Sequence, residues 1–139
     1  MKKSSLAVLA DILAILIFAC IGVYSHYSLL EPALVARVAW PFLISLLVAH
    51  LVLGSWRVEP TRIWPHGVFI VAITVVGAMV IRSLIGDGTA TSFVLVATGV
   101  ITALLLGWRL VGRLIGRRSR AVAGADGERP AAAGDPRDG

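Results

Sequence analysis

The residues that could do chemistry in this chain are few, and the first is an acid inside an apolar stretch. Asp11 lies about two turns into a run of mostly apolar residues that begins near Ser5. An ionisable side chain at such a depth is costly in lipid, so it should face neighbouring helices and find a partner. His50 and Arg109 lie at similar depths in two other apolar runs. We therefore predict an inner polar group of Asp11, His50 and Arg109, which either locks the helices together or binds a proton or cation.

A second polar group falls at the opposite ends of the runs. It comprises His26, Arg37, Trp40 and Arg82. Two guanidinium groups and an imidazole suit an anionic ligand or a lipid headgroup, although long basic side chains also extend to a membrane surface without a specific ligand. Pro41 lies beside this group and removes a backbone donor, so it should bend its helix and is a candidate hinge.

The sequence contains no pattern typical of an enzyme or a metal centre. We find no Ser/His/Asp set at matching depths, no paired carboxylates, no phosphate-binding glycine loop and no HExxH motif. Cys20 is the single cysteine, and no Cys/His set has metal-ligand spacing. We therefore expect no enzymatic activity, no metal and no cofactor.

The elements that must position these residues are four long apolar runs. Hydrophobic residues make up 58% of the 139-residue chain, and the mean hydropathy is +0.87. Each run reaches the ~20 residues that a membrane-spanning helix needs. The runs are connected by short links, which favour antiparallel packing of neighbours. We predict an all-α, up-down bundle of four transmembrane helices, at about 5–24, 34–53, 64–85 and 92–111.

The chain divides into two parts by composition. Residues 1–116 form the predicted four-helix transmembrane domain, and residues 117–139 form a predicted disordered cytoplasmic tail that is rich in Ala, Gly, Arg, Asp and Pro. The first run could be a signal peptide, but Asp11 lies inside it and it continues to Tyr24. We therefore favour a retained first helix.

Basic residues predict how the helices are oriented. Every Lys and Arg except Arg37 and Arg82 falls at one side of the predicted bundle. Positive residues in short connections stay in the cytoplasm, so both termini should be cytoplasmic and the protein should lie in the cell membrane. The basic residues flank apolar runs, so the partner we expect is the lipid bilayer and not nucleic acid.

The fourth run carries small residues at four-residue spacing. Gly99, Ala103 and Gly107 lie on one helix face, and such a stripe allows close approach of another helix. The stripe either packs inside the bundle or forms a seam between two copies of the chain in a homo-oligomer.

The sequence resembles a known family of small bacterial membrane proteins, the domain of unknown function 3054 family. The resemblance covers about residues 5–113. It is most specific at Ser25-His26, Trp40-Pro41-Phe42 and Arg82, with further matching positions at Asp11, Phe18-Ala19, Gly22, Ala39, Gly77, Met79 and Trp108-Arg109. It implies a four-helix membrane protein and marks Asp11, His26, Trp40, Pro41 and Arg82 as positions of interest. It implies no particular activity.

The sequence favours a small multi-pass membrane protein that is a non-enzymatic accessory subunit or a ligand- or lipid-binding bundle. The alternative is a small oligomeric transporter or channel for an ion or a small anionic solute. A transport function would give Asp11 a role in ion coupling, whereas a binding function would place the ligand beside the basic residues.

Overall fold

Four helices account for most of the protein. The computed structural model describes residues 2–127, and the side chains of residues 4–123. The helices are α1 (Lys2–Tyr27), α2 (Pro32–Val52), α3 (Val68–Leu84) and α4 (Thr91–Gly127), and no strand occurs among the described residues. All four are long and apolar enough to cross a membrane, judged by length and composition. The predicted all-α, four-helix architecture is confirmed.

Proline and glycine set two of the helix ends. Pro32 occupies the first turn of α2, where its missing N–H would have had no helical partner. At the other end of α2, Gly54 adopts a φ of 55°, and its N–H donates to the carbonyl of Leu51 at 3.2 Å. A left-handed glycine directly after the last helical turn is the usual way to end a helix. The chain leaves α2 there and enters the α2–α3 connection.

The α2–α3 connection contains two short helical turns. The first is a 3₁₀ turn at Ser55–Arg57, and the second is a wider turn at Ile63–Gly67 that leads directly into α3. Gly67 is buried, and a Cβ there would lie 3.1 Å from Leu106 Cδ2 and 3.3 Å from Arg109 Cδ on α4. The absence of a side chain at Gly67 therefore lets this turn pack closely against α4.

The helices pack as an antiparallel ring, with each helix against the next and α4 against α1. The middle of the bundle is apolar, and its aromatic centre is Phe42, whose ring meets Phe18 edge-on at 5.1 Å and lies 6.4 Å from Phe93. We name the two ends of the bundle by the helices. The basal end is where α1 begins and α2 ends, and the distal end is where α1 ends and α4 begins. Fully buried residues between the two ends include Ile15, Leu46, Ile70, Ile101 and Leu105.

Helix α4 is longer than the sequence indicated. The predicted span ended at residue 111, whereas the helix continues to Gly127 and includes residues 117–127 of the predicted tail. Ala and Arg are frequent in this stretch and have high intrinsic helix propensity, which favours continuation without a packing partner. The predicted tail residues 128–139 lie outside the described part of the chain.

Candidate functional site

The basal end contains a buried carboxylate bound by four side-chain hydrogen bonds. Asp11 on α1 is 0% exposed. Arg109 donates from Nη1 to Oδ1 at 2.7 Å and from Nη2 to Oδ2 at 2.6 Å. Trp108 donates from Nε1 to Oδ1 at 2.7 Å, and His50 Nε2 lies 3.0 Å from Oδ2. The three donors of Arg109 and Trp108 converge on the two oxygens, two of them in a bidentate ion pair, so Asp11 carries its charge here.

The structure therefore brings together all three residues of the predicted inner polar group. Asp11 comes from the third turn of α1, His50 from the last turn of α2, and Arg109 from α4 at the same level. Arg109 is 1% exposed and also donates from Nη1 to the carbonyl of Leu105 at 2.7 Å. The bidentate geometry between a guanidinium and a carboxylate gives both strength and a fixed orientation. The pair thereby joins the first helix to the last.

Trp108 was not part of the predicted group, although it neighbours Arg109 in the sequence. Its ring lies 4.6 Å from the Arg109 guanidinium carbon, which adds a cation–π contact to the indole hydrogen bond. Two adjacent helical residues therefore clamp Asp11 from the same side. The signal that could have identified Trp108 is its indole N–H, which needs a hydrogen-bond partner wherever the ring is partly buried.

Two residues of the α2–α3 connection extend the polar group toward the surface. His50 Nδ1 lies 2.7 Å from Ser55 Oγ, and Ser55 Oγ lies 3.1 Å from His66 Nε2. Ser55 and His66 are both half-buried. The result is a continuous chain of contacts from the buried Asp11 through His50 and Ser55 to His66. We call these four residues, together with Trp108 and Arg109, the basal cluster.

Hydrogen-bond capacity fixes the direction of the bonds in this chain when both imidazoles are neutral. An ionised carboxylate only accepts, so His50 must donate to Asp11 from Nε2. A neutral imidazole has one N–H, so His50 Nδ1 is then an acceptor and Ser55 donates its only proton to it. His66 must in turn donate from Nε2 to the Ser55 oxygen. Each hydrogen bond between Asp11, His50, Ser55 and His66 then has one donor and one acceptor.

This arrangement corrects one statement of the sequence analysis. The sequence showed no Ser/His/Asp set at matching depths, whereas Asp11, His50 and Ser55 are in direct sequential contact. Ser55 was overlooked because it follows the end of α2 and has no place in any helical periodicity. The left-handed Gly54 and the 3₁₀ turn fold Ser55 back beneath His50. The expectation of no enzymatic activity relied partly on the missing set, and that premise is wrong.

The distal end also holds an aspartate between arginines, but in a different setting. Arg37 Nη2 donates to Asp87 Oδ1 at 2.6 Å, and Arg82 Nη1 lies 3.8 Å from Asp87 Oδ2. Arg82 Nη2 donates to the Asp87 carbonyl at 2.8 Å, and its guanidinium carbon lies 4.5 Å from the Phe93 ring centre. The hydrogen bond from Arg37, with its positive charge, lowers the pKa of Asp87 below the ordinary value of 3.8. We call Arg37, Arg82, Asp87 and Phe93 the distal cluster.

The predicted outer group is only partly brought together. Arg37 and Arg82 meet, but they meet on Asp87, a carboxylate of the α3–α4 connection that was not part of the predicted group. His26 is exposed and lines a separate groove of about 600 Å³ with Tyr27, Val38 and Phe93. Trp40 is 37% exposed on α2 and is not among the residues lining that groove. Two arginines that already share one carboxylate have less positive charge to offer an external anion.

The candidate hinge lies in the core and not at an open site. Pro41 is buried within α2, next to the Phe42 side chain that anchors the aromatic centre. The helix continues through Pro41 without interruption. The role of Pro41 as a hinge remains a prediction.

The small-residue stripe of α4 faces away from the bundle. Gly99 and Ala103 are exposed and Gly107 is half-buried, and a Cβ built on either glycine would meet no atom within 4 Å. The face of α4 that packs inward carries Ala97, Ile101, Leu105 and Arg109, the last three of which are larger than any residue of the stripe. Packing of the stripe inside the bundle, one of the two predicted uses, is therefore wrong. Its use between two copies of the chain remains a prediction.

A third feature lies at the basal surface, where α4 passes the α2–α3 connection. A groove of about 520 Å³ runs between them. It is lined by three arginines of α4 and by residues of the connection, with Leu6 of α1 at one side. The lining residues with charged or hydroxyl side chains are Glu59, Thr61, Arg113, Arg117 and Arg120. We call this groove the basal groove.

None of these clusters offers a set of metal ligands. In the part of the chain with described side chains, no three His, Cys, Asp or Glu residues are grouped so that they could hold a metal ion. The basal cluster instead combines one carboxylate with cationic and neutral donors. Its chemistry is that of proton transfer and hydrogen bonding.

Comparison with known proteins finds similarity to a protein family. No curated protein matches the chain, and no solved structure does. A family model described as a protein of unknown function, DUF3054, matches residues 8–112, which include α2, α3 and the contacting parts of α1 and α4. The matched range contains every residue of the basal and distal clusters, and we conclude that the chain belongs to the DUF3054 family.

Proposed function

We propose that this protein is an integral membrane protein that binds anionic phospholipid at the basal end of its bundle. The observation that carries the proposal is the basal groove, whose wall includes Arg113, Arg117 and Arg120. Basic pockets between membrane helices, on the cytoplasmic side, are a recurrent way to hold acidic lipid headgroups.

The charges lining the basal groove support this proposal. The three arginines recur at four- and three-residue spacing, so they lie along one face of α4. None of them forms an ion pair with a described side chain, in contrast to Arg37 and Arg109. The one carboxylate that lines the groove, Glu59, receives a hydrogen bond from Thr61 at 3.4 Å. A planar guanidinium matches the paired oxygens of a phosphate, so three free ones favour a phosphate group.

The shape of the groove also fits a lipid. Leu6 gives it an apolar side, and Gly112 and Gly116 leave the α4 wall low between the arginines. Gly112 lies against Thr61, which closes the groove toward the α2–α3 connection. A phosphate at the arginines would leave its acyl chains next to the exposed apolar surface of α1 and α4.

The same proposal places the protein in the cell membrane with both termini in the cytoplasm. All basic residues except Arg37 and Arg82 belong to the basal end or to the chain beyond it, and this bias favours a cytoplasmic basal end. A reporter that works only in the cytoplasm should be active when it is fused after residue 139. Activity of a reporter that works only outside the cell membrane would contradict this orientation.

Transport remains the alternative prediction. Among the residues described, the buried side chains between the basal and distal clusters are apolar apart from Ser45 and Thr74. An aqueous path for an ion would have to cross that apolar centre at Phe42, so binding is the better-supported function.

The lipid proposal predicts a selective increase in thermal stability. We expect the purified protein in neutral detergent to melt at a higher temperature when phosphatidylglycerol is added than when phosphatidylcholine is added. Each arginine near an acidic lipid surface contributes about 1 kcal/mol. Replacement of Arg113, Arg117 and Arg120 together by Gln should therefore remove the difference between the two lipids.

A matched control separates the basal groove from general basicity. Arg118 lies on the same helix but does not line the groove, so Arg118→Gln should keep the full phosphatidylglycerol effect. Free inorganic phosphate added without lipid should produce the effect only if the site recognises phosphate alone. Equal melting temperatures in the two lipids, or an equal loss in Arg118→Gln and in the triple variant, would contradict the proposal.

A further inference from the structure

The basal cluster contains the contacts of an activated serine. We propose that Ser55 is a nucleophile that His50 activates and Asp11 orients, and that it acts on acyl esters of lipids at the membrane surface. This activity goes beyond the lipid binding proposed above and does not rest on it.

The proposed nucleophile, Ser55, contacts its proposed base, His50, directly. Ser55 Oγ lies 2.7 Å from His50 Nδ1, and His50 Nε2 lies 3.0 Å from Asp11 Oδ2. A hydroxyl within hydrogen-bond reach of a base, which is itself held by a third group, is the arrangement that activates nucleophiles in unrelated folds. The nitrogen atoms are used in the reverse order of the usual triad, with Nε2 toward the acid. The roles depend on contact and tautomer and not on which ring nitrogen is used.

The tautomer of His50 is the one that a base for Ser55 needs. Asp11 accepts from His50 Nε2, and this leaves Nδ1 free to accept a proton from Ser55. Arg109 and Trp108 hold both oxygens of Asp11 in place. The carboxylate therefore cannot turn away from His50 without breaking those bonds. Asp11 is a positioning residue in this account, because it acts on Ser55 only through His50.

A second histidine, His66, also contacts Ser55. His66 Nε2 lies 3.1 Å from Ser55 Oγ and, in the assignment above, donates to it. This bond orients the hydroxyl, because an oxygen that accepts from His66 has its own proton left to donate to His50. Ser55 thus has an acceptor for its proton on one side and a donor that holds its oxygen on the other, while the charge of the transition state develops on the carbonyl oxygen of the ester.

The exposure of Ser55 and of its neighbours indicates which class of substrate could reach it. Ser55 is half-buried, whereas Asp11 is fully buried. Two exposed indoles flank this part of the chain, Trp56 next to Ser55 and Trp64 two residues before His66. Tryptophan prefers the boundary between headgroups and acyl chains, which is the level of the ester carbonyls of a phospholipid. The nucleophile would therefore meet acyl esters there.

The reaction balances with water as the only co-reactant. Ser55 Oγ attacks the ester carbonyl carbon and its proton passes to His50 Nδ1. The bond from carbon to the alcohol oxygen breaks, and the alcohol leaves with the proton from His50. Water then attacks the acyl-serine, giving one proton to His50. The fatty acid leaves, and that proton returns to Ser55 Oγ.

A fluorophosphonate probe tests this proposal directly. Its phosphorus forms a covalent bond with an activated serine oxygen while fluoride leaves. We expect the full-length protein in lipid nanodiscs to be labelled at pH 8, with the adduct mapped by peptide mass spectrometry to Ser55. Ser55→Ala should lose the label. Ser25→Ala is the matched control and should keep it, because Ser25 lies at the distal end and bonds its own helix at Ile21.

The variant Asp11→Asn tests whether Ser55 is activated by His50 or reacts only because it is exposed. An amide at position 11 places an N–H toward His50 Nε2, so the imidazole adopts the opposite tautomer and Nδ1 no longer accepts from Ser55. An Asn in this role lowers turnover by about 10⁴-fold in the well-known triad, and we expect labelling to slow by at least about 10³-fold. Asp11→Glu, which keeps a carboxylate, should restore part of the rate.

Two results would overturn the proposal. One is wild-type protein that carries no adduct at Ser55 under conditions that fully label a serine hydrolase in the same sample. This result needs no variant, so a failure of any variant to fold does not affect it. The other is a folded Asp11→Asn protein, with wild-type circular dichroism, whose Ser55 reacts at the wild-type rate.

Discussion

The two ends of the bundle use the same ion-pair chemistry for different purposes. At the distal end, Asp87 pairs with Arg37, whose side chain is 69% exposed, and with Arg82 only five residues earlier in the chain. At the basal end, Asp11 pairs with Arg109, which is buried and separated from it by 98 residues. The distal contacts fasten the connection between α3 and α4 to α2. The basal contacts hold the first and last helices together.

The two clusters also differ in what lies beyond the ion pair. At the distal end, Arg82 also donates from Nη2 to the carbonyls of Asp87 and Gly88. At the basal end, Asp11 also holds His50, and His50 contacts a serine that lies partly open to the surface. An arginine–carboxylate pair alone is a poor sign of function, because it has no proton to exchange near neutral pH. The adjoining His50 and Ser55 are what make the basal cluster the functional candidate.

The largest expected effect is the loss of the buried carboxylate. Asp11→Ala leaves Arg109 charged and buried without a counter-charge, and breaking a buried pair in this way costs about 3–5 kcal/mol. We expect the melting temperature in detergent to fall much further for Asp11→Ala than for the matched change Asp87→Ala. Equal decreases for the two variants would contradict the difference that we draw between the two ends.

A smaller effect concerns acid sensitivity at the distal end. The pKa of Asp87 is lowered from its ordinary value of 3.8, chiefly by the Arg37 hydrogen bond. A lowered carboxyl pKa contributes stability that is complete above the unfolded pKa and is lost as the pH falls through the folded value. The melting temperature of the wild type should therefore decrease between pH 5 and pH 3 more steeply than that of Asp87→Asn.

Arg37→Gln sharpens this test because it removes the first cause of the shift. We expect its pH dependence to lie between those of the wild type and Asp87→Asn, with a small change in stability at pH 7, since exposed ion pairs contribute little. If wild type and Asp87→Asn depend on pH equally, the Arg37–Asp87 bond is not formed in solution.

The sequence predicted the helices well because apolar runs of about 20 residues have few other structures available. It also placed Asp11, His50 and Arg109 together, since depth along antiparallel helices follows from residue counting. The observed helix limits differ from the predicted ones, and two of these differences have a clear physical reason. α1 reaches Tyr27 because nothing in Ser25–Tyr27 stops a helix, and α4 continues to Gly127 because Ala and Arg favour it.

The sequence did not predict contacts made by residues in the connections between helices. It also did not predict how a helix is rotated about its own axis. Ser55 and Asp87 lie in connections whose backbone path is set by Gly54, Gly86 and Gly88 in left-handed conformations. Residue spacing does not define that path. The stripe of Gly99 and Ala103 faces outward because Ile101 and Arg109 occupy the inward side of α4. Spacing locates the stripe but does not say which way it faces.

We infer that His50 presents an unprotonated Nδ1 to Ser55 while its Nε2–H binds Asp11. Nitrogen-15 NMR of protein labelled at histidine measures this directly, because protonated and unprotonated ring nitrogens have well-separated chemical shifts. A His50→Gln sample assigns the signals of this residue. We predict a neutral His50 at pH 8 with its proton on Nε2. A proton on Nδ1 at that pH would contradict the account, since His50 could then accept no proton from Ser55.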